Sequence, residues 1–293
     1  MQGFLDIFDV YLLEAVINGI LFGGVLALLA LGLNLIFGVI DVTWICYAEL
    51  VMIGMYGMYY LVSVYHVPYW MAAPMCILLV AGFGALLHIL VIQPLLSAPP
   101  INQLLATGGV LFFLQSLATV TFGIDFRNLG IQLPVLQFAE MNFSYARLLS
   151  FAAALVGMIA VYVFMKRTYT GIAIRAIAQD RQIMALMGVD TKRIYLITSA
   201  LGGALAGLAA CLLVLQYDVH PFVGLSFGPI TFLICVLGGL GNFVGGFVAS
   251  FVFAEIISLG GLFSDLEWGY VLAFGFFILM MFVRPGGLLA RRQ

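Results

Sequence analysis

The sequence has little charge of any kind, and it has no Lys or Arg before position 127. Only 8% of its 293 residues are charged, whereas 65% are hydrophobic. A soluble domain of this length carries roughly a quarter charged residues. The composition therefore excludes a soluble globular enzyme and predicts a polytopic membrane protein that contacts lipid. The net charge of −2 gives no indication of a nucleic-acid partner.

The sequence is also poor in residues that bind metals, form disulfides or hold nucleotides. Its four cysteines stand singly inside apolar runs, without a Cys-x-x-Cys pair. Each is typical of a small buried or lipid-facing hydrophobe, so we expect no disulfide, metal or cofactor. No glycine-rich phosphate loop ends in Gly-Lys-Ser or Gly-Lys-Thr. The chain therefore cannot bind ATP by that motif.

Long apolar runs dominate what remains, and a transmembrane helix needs about 20 mainly apolar residues. The candidate spans are residues 15–37, 45–64, 69–92, 104–122, 148–165, 194–215, 230–259 and 271–283. The run 230–259 is interrupted by Gly238-Gly239-Leu240-Gly241-Asn242. If this run is one span, the chain crosses the membrane an even number of times. If it is two helices hinged at the glycines, there are nine crossings.

The distribution of cations favours the hinge. Nine of the eleven basic residues fall in two places, six between Lys166 and Arg193 and three in the tail 284–292. Basic loops resist translocation, so both places are expected in the cytoplasm, which requires two crossings in the run 230–259. The prediction is an all-α bundle of about nine helices, within a range of eight to ten. Its N-terminus lies outside, its C-terminus inside, and its main external loop is 123–146.

Two cations lie on the unexpected side, one in the main external loop and one immediately after it. They are Arg127 and Arg147, which we expect to be opposed by the acidic residues Asp125 and Glu140. A separate feature concerns the fold as a whole, since residues 23–30 resemble residues 202–209. An odd number of spans between two copies would invert the second, as in many transporters. The similarity predicts an inverted repeat, although Gly, Ala and Leu are common in all membrane helices.

The segment 167–192 between the fifth and sixth spans predicts a short amphipathic helix. Charged residues alternate at near-helical spacing with Ile174, Ile177, Met184, Ala185, Met187 and Val189. Gly188 is typical of a helix end. Such a helix either lies on lipid headgroups, attracted by its cations, or fits a groove on a partner protein.

Four stretches, in the right order, resemble a known family and cover nearly the whole chain. They are Gly32-Leu33-Asn34-Leu35-Ile36-Phe37-Gly38 followed by Glu49, Arg175-Ala176-Ile177-Ala178-Gln179-Asp180 followed by Ala185-Leu186-Met187-Gly188, Val236-Leu237-Gly238-Gly239-Leu240-Gly241-Asn242, and Val283-Arg284-Pro285-Gly286-Gly287-Leu288-Leu289. The chain is identified by them as similar to ABC-importer permeases of the bacterial inner membrane. The most similar subgroup is the branched-chain amino acid (Liv-type) permeases, whose relatives include urea and amide permeases.

The resemblance implies a single transmembrane permease domain over residues 1–293, with a cytoplasmic coupling loop at 167–192. It implies import of amino acids of the branched-chain type, or of a related small polar solute such as urea or an amide. The implied partners are a second Liv-type permease in a heterodimer, two cytoplasmic ATPase subunits, and a periplasmic or extracellular substrate-binding protein. The permease itself would not be an enzyme, because the ATPase subunits hydrolyse the ATP.

The resemblance also implies roles for individual residues. ATPase coupling is expected from Arg175, Ala176, Asp180, Arg181, Met184, Ala185 and Gly188, with Met184, Leu186 and Met187 as adaptable apolar contacts. Pathway or helix-break roles are expected from Asn34, Glu49, Gly238, Gly239 and Gly241. The family usually has an Asn-Phe-Ala-His-Gly-Glu type of sequence where this chain has residues 41–49, and only Glu49 is retained. This departure leaves the solute open.

Two other functions have some support in the sequence. An ion-coupled secondary transporter would use Glu49 and Glu255, which fall in apolar runs, together with the glycine break. An intramembrane hydrolase would use Ser226, because Gly224-Leu225-Ser226-Phe227-Gly228 matches the Gly-x-Ser-x-Gly nucleophile motif. That motif requires a strand before it, and here it precedes a membrane helix, so we interpret it as a turn and helix cap.

Overall fold

The computed structural model describes residues 2–131, 134–138, 141–263, 266–284 and 286–288. The expectations placed on Glu140, Pro285, Leu289, Arg291 and Arg292 lie outside these residues. The helices are α1 (Gln2–Ile40), α2 (Tyr47–Tyr59), α3 (Tyr69–Leu87), α4 (Gln93–Leu95), α5 (Pro100–Phe122), α6 (Tyr145–Arg167), α7 (Tyr169–Gln179), α8 (Arg181–Leu186), α9 (Thr191–Leu213), α10 (Val223–Gly238), α11 (Phe243–Phe263) and α12 (Leu266–Val283). The π-helical turns Tyr60–Val64 and His88–Ile92 extend α2 and α3.

The predicted all-α membrane bundle is confirmed. Seven helical segments in the described part of the chain are long and apolar enough to cross a membrane. They lie in α1, α2 with its π-turn, α3, α5, α6, α9 and α11, each on a run predicted to span. The shorter apolar helices α10 and α12 coincide with the two remaining predicted crossings. If both of them cross, the total is nine.

Helix α1 lies at the centre of the bundle and packs against α6, α9, α10 and α11. Two of its glycines permit the close approach. A Cβ on Gly23 would lie 2.9 Å from Cδ1 of Phe251 in α11, and a Cβ on Gly24 would lie 2.5 Å from Cδ2 of Phe151 in α6. Helices in lipid associate largely through such van der Waals contacts, because lipid tails are as apolar as the side chains.

A second close contact joins α3 to α9. A Cβ on Gly203 would lie 2.7 Å from the carbonyl oxygen of Val80, and a Cβ on Gly84 would lie 2.8 Å from that of Ser199. Helix α9 also packs against α1. The two similar segments 23–30 and 202–209 therefore lie on neighbouring helices. The inverted repeat itself stays a prediction.

The apolar run 230–259 is broken at its glycines, as predicted. Helix α10 ends at Gly238 and α11 begins at Phe243. Between them Gly239 and Gly241 have φ angles of +92° and +76°, which side chains with a Cβ rarely adopt. A Cβ on Gly241 would also lie 2.9 Å from the Cα of Gly38 in α1. The run is thus two helices joined by a tight turn against α1.

Two hydrogen bonds place the basic segment and the C-terminal residues at one end of the bundle. The backbone N–H of Leu288 donates to the carbonyl oxygen of Leu237, beside the glycine break, at 2.6 Å. Nη2 of Arg181 donates to the carbonyl oxygen of Ile40, the last residue of α1, at 3.0 Å. Because the glycine break itself contacts the end of α1, residues 286–288 and the segment α7–α8 share this end.

The loop before α6 contains a hairpin that the span pattern did not predict. Strands β1 (Val135–Phe138) and β2 (Met141–Ser144) pair antiparallel. Nearby, Arg127 and Val219 exchange backbone hydrogen bonds of 3.0 and 2.7 Å. Nη1 of Arg127 donates to the hydroxyl of Tyr60 at 3.0 Å, and this bond raises the pKa of the guanidinium above its ordinary value.

Candidate functional site

The segment α7–α8 forms the amphipathic structure that its sequence predicts. At the start of α7, Oγ1 of Thr168 accepts a hydrogen bond from the N–H of Gly171 at 3.0 Å, which caps the helix. The helix buries Ile174 and Ile177 against the bundle and leaves Arg175 exposed. Ala176 lies between these two faces and is half-buried. Helix α7 therefore lies with its apolar side on the membrane helices.

Helix α8 is fixed at its start. Oδ1 of Asp180 accepts a hydrogen bond from the N–H of Ile183 at 3.0 Å, so Asp180 caps its start. Arg181 joins it to α1 through Ile40, and its guanidinium carbon lies 5.4 Å from the ring centroid of Tyr195 in α9. Gly188 has a φ of +81° and follows the end of the helix, as predicted.

The apolar residues of α8 and the following turn divide between two faces. Met184 is half-buried and packs against the hydrophobic core. Leu186 and Met187 are 88% and 75% exposed, and Ile183 and Ala185 are exposed beside them. The sequence predicted three apolar contacts at Met184, Leu186 and Met187. In the structure, two of these side chains, Leu186 and Met187, are exposed. Ile183 is exposed beside them, although the sequence pattern did not predict it as a contact.

The predicted residue Glu49 is fully buried near the start of α2. Its Oε1 accepts a hydrogen bond from Nε2 of Gln115, in α5, at 3.0 Å. Its Oε2 has no hydrogen-bond partner among the described residues. The carboxylate packs against α10, because a Cβ on Gly224 would lie 2.5 Å from Oε1. Glu49 therefore connects α2, α5 and α10.

Helix α5 meets the rest of the chain through polar side chains on its buried face. Nε2 of Gln103 donates to the carbonyl oxygens of Leu95 and Ala98, both at 3.1 Å. Oγ1 of Thr107 is 3.0 Å from the carbonyl oxygen of Thr43 and donates to it. Gln115 completes the row through Glu49.

Two apolar cavities lie along this face of α5. The α10 cavity, between α5, α10 and the start of α2, has a volume of about 240 Å³ and is lined by Trp44, Ala48, Leu104, Leu111, Gly224 and Phe232, among others. The α3 cavity, between α5, α3 and the rest of α2, has a volume of about 330 Å³ and is lined by Met52, Tyr56, Leu79, Leu114, Ala118 and Phe122, among others.

The other predicted pathway residues come together at the glycine break. The N–H of Gly241 donates to Oδ1 of Asn34 at 3.2 Å. Nδ2 of Asn34 is buried without a partner among the described residues, and a Cβ on Gly246 would lie 2.3 Å from it. A Cβ on Gly238 would lie 2.3 Å from the backbone nitrogen of the same Gly246, while Gly239 contacts the C-terminal residues. Asn34 and the three glycines thus form one packing cluster. Glu49 lies outside this cluster, where α2 contacts α5.

Glu255 and Ser226, on which the alternative functions rest, lie outside the cluster at the glycine break. Glu255 lies in the middle of α11, away from either helix end. A Cβ on Gly19 would lie 2.8 Å from Oε2 of Glu255. Ser226 lies within α10 and is exposed, and the residue before the helix, Phe222, provides no side-chain cap. The Gly-x-Ser-x-Gly run is therefore part of a helix, neither a strand-to-helix elbow nor a cap.

Comparison with known proteins agrees with the resemblance seen in the sequence. Residues 15–281 match the family model described as branched-chain amino acid transport system / permease component. The chain is 29% identical to the high-affinity branched-chain amino acid transport system permease protein BraD of Pseudomonas aeruginosa, over 96% of each chain. It is 25% identical to the corresponding protein LivH of Escherichia coli, over 97% of each chain.

A solved structure supports the fold. The chain superposes on PsaBC from Streptococcus pneumoniae in complex with Fab with a TM-score of 0.54 and 12% identity, over 92% of this chain and 91% of that one. At this identity the similarity concerns the fold alone. The family match covers most of the chain, and it is a match to transport permeases rather than to enzymes. The chain therefore belongs to the permease component family of branched-chain amino acid transport systems.

Proposed function

We propose that the chain is the membrane-spanning subunit of an ATP-driven ABC importer. Its solute is a branched-chain amino acid or a related small polar molecule such as urea or an amide. The family match and the similarity to the branched-chain amino acid permeases BraD and LivH support the amino acid. Residues 41–48 depart from the usual family sequence, so urea and amides are retained as alternative solutes. Energy comes from two separate ATPase subunits, which dock on the segment α7–α8.

The observation that carries this proposal is the exposed apolar surface of α8 together with its anchor. Ile183, Leu186 and Met187 project from the bundle end, where a groove on a partner can bind them. Arg181 fastens the same short helix to α1 and α9. A partner that pulls or pushes α8 therefore acts directly on the two helices at the bundle centre.

The orientation follows from the same bundle end. It holds the basic segment from Lys166 to Arg193 and the C-terminal residues with Arg284. Cations near the ends of spans favour the cytoplasmic side. The N-terminus then lies outside, and the hairpin end of the bundle faces the substrate-binding protein. The membrane is the bacterial inner membrane.

A second permease of the same type completes the translocation unit. The outer helices α5 and α6 expose most of their apolar residues, whereas α1 is largely buried. Such surfaces fit either lipid or another permease. We place the second subunit against this outer surface as a distinct, related chain in a heterodimer.

The test is whether the exposed surface of α8 retains the ATPase. The substitution Leu186→Asp puts a charge in the proposed interface without disturbing the core, because Leu186 is 88% exposed. Ile124→Asp is the matched control, since Ile124 is exposed in the loop after α5, at the other bundle end. We expect the ATPase to co-purify with wild type and Ile124→Asp, but not with Leu186→Asp.

Co-purification of the ATPase with Leu186→Asp at the wild-type level would contradict the docking site. The class of transporter has its own test. Solute uptake that continues without ATP, while an ion gradient is held, would instead support the ion-coupled alternative based on Glu49 and Glu255.

A further inference from the structure

The hydrogen bond between Glu49 and Gln115 lies between the two apolar cavities. Along α2, Ala48 lines the α10 cavity and Met52 lines the α3 cavity, with Glu49 between them. Along α5, Leu111 lines the α10 cavity and Leu114 lines the α3 cavity, next to Gln115. One polar pair therefore divides a row of apolar space on the inner face of α5.

The carboxylate of Glu49 is incompletely satisfied where it lies. Gln115 donates to Oε1, but Oε2 is buried and has no donor among the described residues. The only salt bridge among these residues joins Arg193 to Asp190, so no side-chain cation compensates Glu49. A carboxylate in an apolar surrounding costs considerable free energy unless it is paired. The site lacks a cationic hydrogen-bond donor.

We propose that Glu49 binds the ammonium group of an amino acid during its passage, with the apolar side chain in the adjoining α10 or α3 cavity. This inference rests on the proposed function and specifies its solute. An ammonium carries three donors and a positive charge, and it can reach Oε2 while Gln115 holds Oε1. The solute class is an α-amino acid with a neutral apolar side chain.

The cavities support that class over the other small solutes. Their volumes of about 240 and 330 Å³ are near the lower end of the ligand-pocket range, and their named lining residues are almost entirely apolar. Urea carries neither a cation for Glu49 nor an apolar group for the cavities, and a simple aliphatic amide carries no cation for Glu49. Gly224 is also required, because a side chain there would occupy the space of the carboxylate.

The test measures binding to the full-length chain, with its co-purified subunits, in lipid nanodiscs. A ligand that binds only the folded state raises Tm with its concentration. We expect millimolar leucine to raise the Tm of the wild type. The analogue 4-methylpentanoate, which is leucine without its amino group, should have no effect. Glu49→Gln should raise the apparent Kd for leucine at least about tenfold. The control Glu255→Gln, which neutralises another glutamate inside the bundle, should leave it unchanged.

A second variant separates charge from packing. Glu49→Asp keeps the charge on a shorter side chain, whereas Glu49→Gln keeps the size without the charge. The proposal predicts tighter leucine binding by Glu49→Asp than by Glu49→Gln, and it is overturned by the reverse order. Gly224→Ala should also weaken binding by displacing the carboxylate. Gly109→Ala should not, because a Cβ on Gly109 meets nothing within 4 Å.

Two further results would overturn the proposal. One is equal stabilisation by leucine and 4-methylpentanoate. The other is a stabilisation by Na⁺ that Glu49→Gln abolishes while leucine binding stays intact, which would make Glu49 a sodium ligand. These measurements need no ATP, so they are independent of the uptake experiment that tests the proposed function.

Discussion

Nη2 of Arg181 donates a hydrogen bond to the carbonyl oxygen of Ile40 at 3.0 Å, which fastens the surface helix α8 to the last residue of α1. The guanidinium also faces the ring of Tyr195 in α9. Helix α1 packs against α11, and α9 packs against α3. A displacement of α8 therefore reaches four membrane helices through one arginine.

Removing this link should uncouple ATP hydrolysis from transport. Arg181→Ala deletes the bond to Ile40 and the contact with Tyr195, so movement of α8 is no longer passed to α1. We expect the number of solute molecules transported per ATP to fall about tenfold, a typical size for coupling between sites. The measurement is parallel solute uptake and ATP hydrolysis in proteoliposomes.

Lys192→Ala is the control for that experiment. It removes an exposed cation from the same basic segment, 166–193. Because Lys192 does not link α8 to α1, the coupling ratio should stay unchanged. An Arg181→Ala importer that transports as much solute per ATP as wild type would contradict the mechanical role of this arginine.

The turn between α10 and α11 should tolerate no side chain at Gly241. Its φ of +76° and its contact with Gly38 both oppose a Cβ. We expect Gly241→Ala to lower the free energy of unfolding by about 1–3 kcal/mol, measured by thermal unfolding in detergent. Gly275→Ala in α12 is the matched control, because a Cβ there meets nothing within 4 Å. Equal Tm values for the two variants would count against the tight turn.

The orientation predicts which side of the membrane a labelled cysteine reaches. All four native cysteines are buried and should label weakly. A membrane-impermeant maleimide added to intact cells should modify Ile124→Cys, at the hairpin end. It should modify Leu186→Cys only after the cells are permeabilised. The opposite pattern would mean that the segment α7–α8 lies outside the cell.

The loop between α9 and α10 should be sensitive to acid. Burial lowers the pKa of His220, against a smaller opposing effect of Asp218, and the Phe126 ring lies 4.7 Å away. The unfolded chain has a histidine pKa near 6.5. Stability from neutral His220 is therefore full above about pH 6.5 and is lost as the pH falls towards the lower folded pKa.

The corresponding measurement compares Tm at pH 7.5 and pH 5.5. The wild type should lose more on acidification than His220→Gln, which cannot take up the proton. An equal loss in both proteins would show that His220 makes no contribution.

Much of the fold follows from local features of the sequence. Hydropathy alone located the membrane helices, because a span depends on its own 20 or so residues. The break after Gly238 was predictable as well, since glycine clusters end helices locally and the cations of the segment 166–193 and the tail required an extra crossing. The helix end at Gly188 was predictable for the same reason, because glycine ends helices locally.

The contacts that define the sites depend on residues far apart in the chain. Glu49 and Gln115 are separated by 66 positions, and Arg181 and Ile40 by 141. No periodicity relates such pairs, so the sequence pointed to Glu49 and Arg181 but not to their partners. The outward position of Ile183 and the central position of Glu255 in α11 likewise depend on helix register and packing. The cavities on either side of Glu49 arise from how α5 rests on α2.

The most direct measurement is solute uptake by the complete importer in sealed proteoliposomes, with radiolabelled leucine bound to the substrate-binding protein. ATP supplied on the ATPase side, with no ion gradient, should drive accumulation. A sodium or proton gradient without ATP should drive none. Accumulation that depends on the gradient and proceeds without ATP would contradict the assignment of this chain to an ATP-driven importer.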